Sequence, residues 1–329
     1  MRFLHALSEL RNPVFDAFFS VITYLGGEVG FLVIAICLLW CFNKKDGYYV
    51  LLTCFIGTLI NQVLKLLFRI PRPWVRDPSF QPVESAVADA SGYSFPSGHT
   101  QNAAGTFGAI ALTRPNVKKS VVCGILIILV AFSRMYLGVH TPTDVLVSLG
   151  IAALLVFALA PLFKTEERFR RYMPYVLAFS YLLSVAFLVF AFVFPAELTD
   201  GVNLESAKEA AAMMHGCLVG VAIVYVVDTR VIKFPTAARW YGQVVKVAVG
   251  LAIVLLLKTF LKEPLNLLCF GNLYVSRALR YFIIVVFAGC IWPLTFRFFE
   301  RWRVGALDRL FQKRATVSEE QEEDVPREP

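Results

Sequence analysis

Ser133-Arg134-Met135-Tyr136-Leu137-Gly138-Val139-His140-Thr141-Pro142-Thr143-Asp144 joins two long apolar runs and places an arginine, a histidine and an aspartate within twelve residues. An arginine is costly at the bilayer centre, so Arg134 is expected at a helix end or against a partner. Histidine can serve as nucleophile or proton carrier near neutral pH. Asp144 follows His140 by four residues, close enough to hold its imidazole. A structural reading competes: Thr141 as N-cap, Pro142 as first helical residue and Asp144 as capping-box acid. That reading leaves Arg134 and His140 unexplained. The two are compatible, because an aspartate in the first turn still faces the preceding loop.

The flanking runs decide the class. Of 329 residues, 57% are hydrophobic and only 17% charged, and mean hydropathy is +0.64. A soluble domain carries more charge; this composition implies an all-α, polytopic transmembrane bundle. The net charge of +8 falls in short loops between apolar runs, which argues against nucleic-acid binding. The 29 phenylalanines suit lipid-facing helices. The seven cysteines form no CxxC pair and no disulfide framework, and six lie inside apolar runs. No cleavable signal is expected in residues 1–12, which lack an apolar core.

Residues 13–25 are too short to span and read as an interfacial amphipathic helix. Nine spans are expected, at about 28–42, 47–67, 99–113, 119–138, 143–163, 174–195, 208–227, 241–260 and 277–296. Lys44-Lys45, Arg114 to Lys119, Lys164 to Arg171, Arg230 to Arg239 and Arg297 to Arg314 then share one face. The positive-inside rule makes that face cytoplasmic, with the C-terminus inside and the N-terminal segment outside. The opposite, extracytoplasmic face carries Lys65, Arg69, Arg72 and Arg76, then His99, Arg134 and His140. Basic residues that defy the rule call for a reason.

Lys65-Leu66-Leu67-Phe68-Arg69-Ile70-Pro71-Arg72-Pro73 puts two cations seven apart, on one face if the helix persists, before the prolines stop it. Alone, this is a snorkelling cap at the membrane boundary. In Ser91-Gly92-Tyr93-Ser94-Phe95-Pro96-Ser97-Gly98-His99-Thr100, Ser97 is a candidate N-cap. The free N–H groups and dipole of the helix it opens suit a phosphate, and Gly98 lets a ligand approach the backbone. A capped helix start accounts for Ser97 and Gly98 but not for His99. Together the three stretches supply three cations, two histidines, an acid and a helix N-terminus on one membrane face. That set suits phosphoryl transfer, with side-chain cations in place of Mg²⁺, since no carboxylate cluster is present to hold a metal.

Lys65-x6-Arg72-Pro73, Pro96-Ser97-Gly98-His99 and Ser133-Arg134-x5-His140-x3-Asp144 resemble the three signature motifs of the type 2 phosphatidic acid phosphatases, the PAP2 superfamily. The resemblance covers roughly residues 13–163. It implies that His140 is the nucleophile, forming a phosphohistidine and oriented by Asp144, and that His99 protonates the leaving alkoxide. It implies that Lys65, Arg72, Arg134, Ser97 and Gly98 bind the phosphate, and that no metal or other cofactor takes part. The expected substrate is a lipid phosphate monoester or polyprenyl diphosphate at the outer leaflet. Phosphotransfer to another lipid's hydroxyl is the alternative chemistry. An anion or lipid transporter is the non-enzymatic one, favoured only by Lys246 at mid-span. Three regions are expected: a catalytic core at 1–173, additional helices at 174–299 outside the resemblance, and a tail at 300–329, basic then acidic and disordered. His215 has no motif counterpart and reads as structural.

Overall fold

The computed structural model describes residues 1–303, and all the regular structure among them is helical. Helix α1 (Arg2–Ser8) and α2 (Pro13–Thr23) precede α3 (Glu28–Cys37), which runs on through a short wide turn to Phe42. Then come α4 (Lys44–Phe68), the short α5 (Pro73–Arg76), α6 (Gly98–Leu112), α7 (Val117–Tyr136) and α8 (Pro142–Leu159). The second half holds α9 (Glu166–Val193), α10 (Gly201–Val227), α11 (Trp240–Phe260), α12 (Lys262–Leu268), α13 (Leu273–Val286) and α14 (Phe296–Arg301). The tail beyond Arg303 lies outside the described residues.

The expected count of nine spans is corrected. Among the described residues seven helices are long and apolar enough to cross a membrane, or eight if α2 and α3, bent by 54° about the Gly26–Gly27 turn, form one broken span. Helix α6 falls short because its 15 residues reach only about 22 Å. It can be short and partly polar because it lies inside protein: Thr100, Gln101, Asn102, Ala103 and Thr106 are buried. Helix α2 presents Val14, Phe15, Phe18 and Val21 outward, where an apolar face suits lipid. Its inner face rests on α7 through Phe19 against Phe132 and Tyr136.

Polar caps mark the starts of the helices around the site and several others. The side chains of Asn43, Ser97, Asn116, Thr141, Thr165 and Asp200 each accept from a backbone N–H two or three residues on. Thr141 and Asp144 complete a capping box, as the sequence suggested. Helix α4 ends at Arg69, which turns left-handed with φ 50° and ψ 36°. The helix stops before Arg72, as the prolines led one to expect, and it is the turn that brings Arg72 to the same cavity as Lys65. Helix α9 begins at Glu166 and carries Pro174 within it, so the expected polar loop is mostly its first two turns.

The boundary placed at residue 173 falls inside α9, where Met173 is buried. The main core cluster crosses that boundary, running from Leu52 and Phe55 of α4 through Leu177 of α9 to Ala211 and Leu218 of α10 and Phe296, beside two smaller clusters around Tyr136 and Phe107. Helices α10 and α13 pack through small residues. A β-carbon at Gly216 would meet the Ala278 carbonyl, one at Gly220 would lie 2.9 Å from Val285, and one at Gly289 would meet Val224. Such seams let backbones approach where lipid supplies no hydrophobic drive.

The two ends of the bundle differ. At one end the Lys44 ammonium bonds both oxygens of Asp228, at 2.9 and 2.7 Å, and lies over the Phe234 ring. Lys45 reaches the Lys164 carbonyl and Arg297 that of Ile232, so the basic loops gather there. The other end gathers all three motifs. Lys246 is buried but satisfied, bonding the carbonyls of Trp40 (2.8 Å) and Thr236 (3.1 Å), which removes its case for transport. His215 bonds Ser184 at 3.1 Å, a structural contact.

Gly216→Val should disrupt the α10–α13 seam. We expect a loss of roughly 1–3 kcal/mol, the usual cost of overpacking, read as a lowered melting temperature in detergent. Unchanged melting would show the seam to be slack.

Candidate active site

The C-terminal ends of α4 and α7 and the N-terminal ends of α6 and α8 converge on a cavity of about 790 Å³. Lys65, Arg72, Gly98, His99, Arg134 and His140 line it. Of the eight residues singled out from sequence, these six reach the cavity, and Ser97 and Asp144 stand directly behind it.

Arg72 is the most connected. Its Nε donates to the Gly92 carbonyl (3.0 Å), Nη2 to that of Ser91 (2.7 Å) and Nη1 to that of Val139 (3.0 Å). Nη1 also stands 3.0 Å from His140 Nε2. A guanidinium can only donate, so Nε2 must accept and the imidazole proton belongs on Nδ1. Nδ1 lies 3.5 Å from Asp144 Oδ2, longer than a full hydrogen bond. The same Oδ2 accepts from Ser94 Oγ (2.6 Å) and the Thr141 N–H (2.8 Å), which hold it in place. Capping box and histidine orientation thus use one carboxylate, and both readings of Asp144 stand together. Burial first, then the adjacent Arg72, hold the His140 imidazole well below the usual histidine range, against the opposing pull of Asp144. With its proton on Nδ1, the ring keeps its Nε2 lone pair against the Arg72 guanidinium, and both residues line the cavity.

Arg134 is 1% exposed. Its Nη1 donates to Thr23 Oγ1 at 2.7 Å, while Nε and Nη2 have no partner. A buried guanidinium with idle donors is suited to an anion. Lys65 touches the Ser91 carbonyl at 3.4 Å. A β-carbon on Gly98 would meet nothing within 4 Å, so the first turn of α6 is open to the cavity. Ser97 is fully buried; its Oγ accepts from the Thr100 N–H (3.4 Å) and hydroxyl (3.0 Å), leaving its own proton available.

The loop after α7 is braced from the N-terminus. Gly138 has φ +77°, and a β-carbon there would lie 2.8 Å from Phe80. Arg11 bonds the carbonyls of Tyr136 and Gln81, and Asp16 accepts from the Tyr136 hydroxyl at 2.8 Å.

Sequence reading missed Thr23, Ser94, Asn61 and Lys258. Ser94 sits inside a quoted motif but is an ordinary loop serine by type, and nothing local pairs Thr23 with Arg134. Lys258 of α11 lines the cavity, so the C-terminal helices do reach it. Among the described residues no group of three or more His, Cys, Asp or Glu is placed to hold a metal ion.

Comparison with known proteins bears on this arrangement. The family model described as PAP2 superfamily matches residues 46–168. Phosphatidylglycerophosphatase B of Bacillus subtilis (strain 168) is 31% identical over 175 residues, covering 49% of this chain and 82% of its own length. The chain belongs to the PAP2 superfamily. It is a multi-span membrane phosphatase of the PAP2 type. A second PAP2 relative, undecaprenyl-diphosphatase BcrC of the same organism, is 33% identical over 47% of this chain and 77% of its own. A crystal structure of a transmembrane PAP2-type phosphatidylglycerolphosphate phosphatase from Bacillus subtilis is 30% identical over 50% of this chain and 83% of its own, with TM-score 0.42. The C-terminal helices, left outside the resemblance on sequence, match a model of their own, the PAP2 superfamily phosphatase transmembrane extension, over residues 212–302.

Arg72→Lys should lower kcat/KM for phosphate release at least about 100-fold. A lysine cannot hold the Ser91, Gly92 and Val139 carbonyls together, and two lost charged hydrogen bonds account for a factor of that size. Retention of a third of wild-type activity would refute the clamp.

Proposed function

We propose that this PAP2 phosphatase hydrolyses a lipid phosphate monoester or diphosphate at the outer leaflet through a phosphohistidine on His140, without a metal. The observation that carries the reading is the pairing of Arg134, buried with two idle nitrogens, with a His140 that lines the same cavity and whose unprotonated Nε2 is held by Arg72. A phosphate entering there meets Arg134, Arg72, Lys65, the Ser97 hydroxyl and the Gly98 N–H, which neutralise its equatorial oxygens.

His140 Nε2, freed as Arg72 turns to the phosphate, attacks phosphorus as its bond to the leaving oxygen breaks, an alcohol oxygen in a monoester and the bridging oxygen in a diphosphate. His99 gives its proton to the leaving oxygen. Asp144 stabilises the charge that develops on the imidazole through Nδ1–H. Water then attacks the phosphohistidine, losing a proton to His99, and the P–N bond breaks to release phosphate and restore His140. Side-chain cations supply the charge that a metal would otherwise provide: Lys65, Arg72 and Arg134 line the cavity, with Glu28 and Asp89 also on its wall. The relatives named as phosphatidylglycerophosphatase and undecaprenyl-diphosphatase support a lipid substrate for this chain.

His140→Ala should abolish turnover and the acid-labile phosphoenzyme seen after brief exposure to labelled substrate, while EDTA leaves the wild type active. Loss of activity in EDTA restored by Mg²⁺ would reject the mechanism, as would near-normal turnover by His140→Ala.

The cavity end is proposed to face outward, because the basic loops gather at the other end. A cysteine replacing exposed Ser85 should react with an impermeant thiol reagent in intact cells. Labelling only after lysis would invert the topology.

A further inference from the structure

Below the cations, α4 continues a polar stripe into the membrane. Thr58, Asn61, Gln62 and Lys65 stand at i, i+3, i+4 and i+7 and all line the cavity. Asn102 of α6 lines it too, and its Oδ1 accepts from Thr58 Oγ1 at 3.3 Å. By helical rise, Asn61 lies about 6 Å and Thr58 about 10 Å beyond Lys65. Asn61 is 2% exposed, yet its Nδ2 has no partner. Val33 and Ile34 of α3, beyond Glu28 at its start, give the cavity an apolar stretch of wall.

A buried amide donor left unpaired in a membrane helix is costly, and packing alone would be served as well by leucine. The donor calls for an acceptor that arrives with the substrate. Phosphate oxygens are already met by the cations above. The acceptor must then lie further along the alcohol, a short distance past the phosphoester oxygen. Ester carbonyls and hydroxyls of a glycerol backbone fall at that distance, while a prenyl chain offers only hydrocarbon from its first carbon. The apolar stretch of α3 suits acyl chains of the same molecule.

We infer that Thr58, Asn61, Gln62 and Asn102 form a subsite for the acceptor oxygens of a glycerol-based leaving group, so that the enzyme favours glycerolipid phosphates over prenyl phosphates. The inference rests on the cavity being the catalytic site. A site built to hydrogen-bond its substrate discriminates strongly against one lacking the group.

The test compares dioleoyl phosphatidic acid with farnesyl phosphate, both monoesters, on the full-length protein in detergent. Wild type should favour the glycerolipid. In Asn61→Leu the ratio of kcat/KM values should fall about tenfold or more, and in the isosteric Thr58→Val it should fall in the same direction. Thr58→Val keeps the test decisive should Asn61→Leu fail to fold. A ratio unmoved in both variants, whether the two rates fall together or neither falls, would overturn the subsite and leave the stripe a water-lined or structural feature. Wild-type protein that releases phosphate from neither lipid would instead strike at the catalytic reading of the cavity.

Discussion

The active end depends on one buried guanidinium. Arg72 is 6% exposed and binds three backbone carbonyls from two loops, together with His140. Burying a charge costs several kcal/mol unless dipoles replace water. Here the carbonyls of Ser91, Gly92 and Val139 do so. Because those carbonyls belong to the α5–α6 and α7–α8 connections, satisfying Arg72 also fixes where α6 and α8 start. None of its hydrogen bonds is to a carboxylate, so its positive charge stays uncancelled at short range. The interaction that builds the site is thus also the one that leaves it attractive to an anion.

Much of this was legible because membrane chains keep polar residues only for a reason. Arg134, His99 and His140 stood out against apolar runs, and six of the eight singled-out residues line one cavity. Caps at Ser97 and Thr141 were readable from local chemistry. The span count was not, since it presumed that every pass meets lipid. Helix α6 has protein around it, which removes both the length and the apolarity that lipid would demand. Arg69 in a left-handed turn was equally hidden, because prolines announce that a helix stops but not how the chain turns afterwards. Asn61 was missed because an asparagine one turn from a lysine resembles the frayed polar end of a span.

The C-terminal helices were hardest to read. Their match to a transmembrane-extension model shows that they are a recurring part, but their own polar residues point elsewhere. Lys246 and His215 are satisfied locally, far from the cations. The residues that matter to the site are ordinary ones at helix ends, such as Lys258 on the cavity rim and Thr199 and Asp200 at the start of α10.

Those last two tie the start of α10 to the loop beside the cavity. The loop carrying Ser91 and Gly92 is pulled inward by Arg72. Tyr93, the next residue, bonds Thr199 Oγ1 at 2.6 Å and lies 3.4 Å from Asp200 Oδ2. Asp200 is itself held, as the cap of α10, by the Asn203 N–H at 2.8 Å. The loop is therefore held between the cavity's cations on one side and a capped helix on the other. A loop held at one end alone would sample many positions, and Lys65 and Arg72 share its carbonyls with the substrate site. Anchoring it to α10, which is locked against α13 by the glycine seam, converts helix packing some distance away into fixed carbonyl positions beside His140.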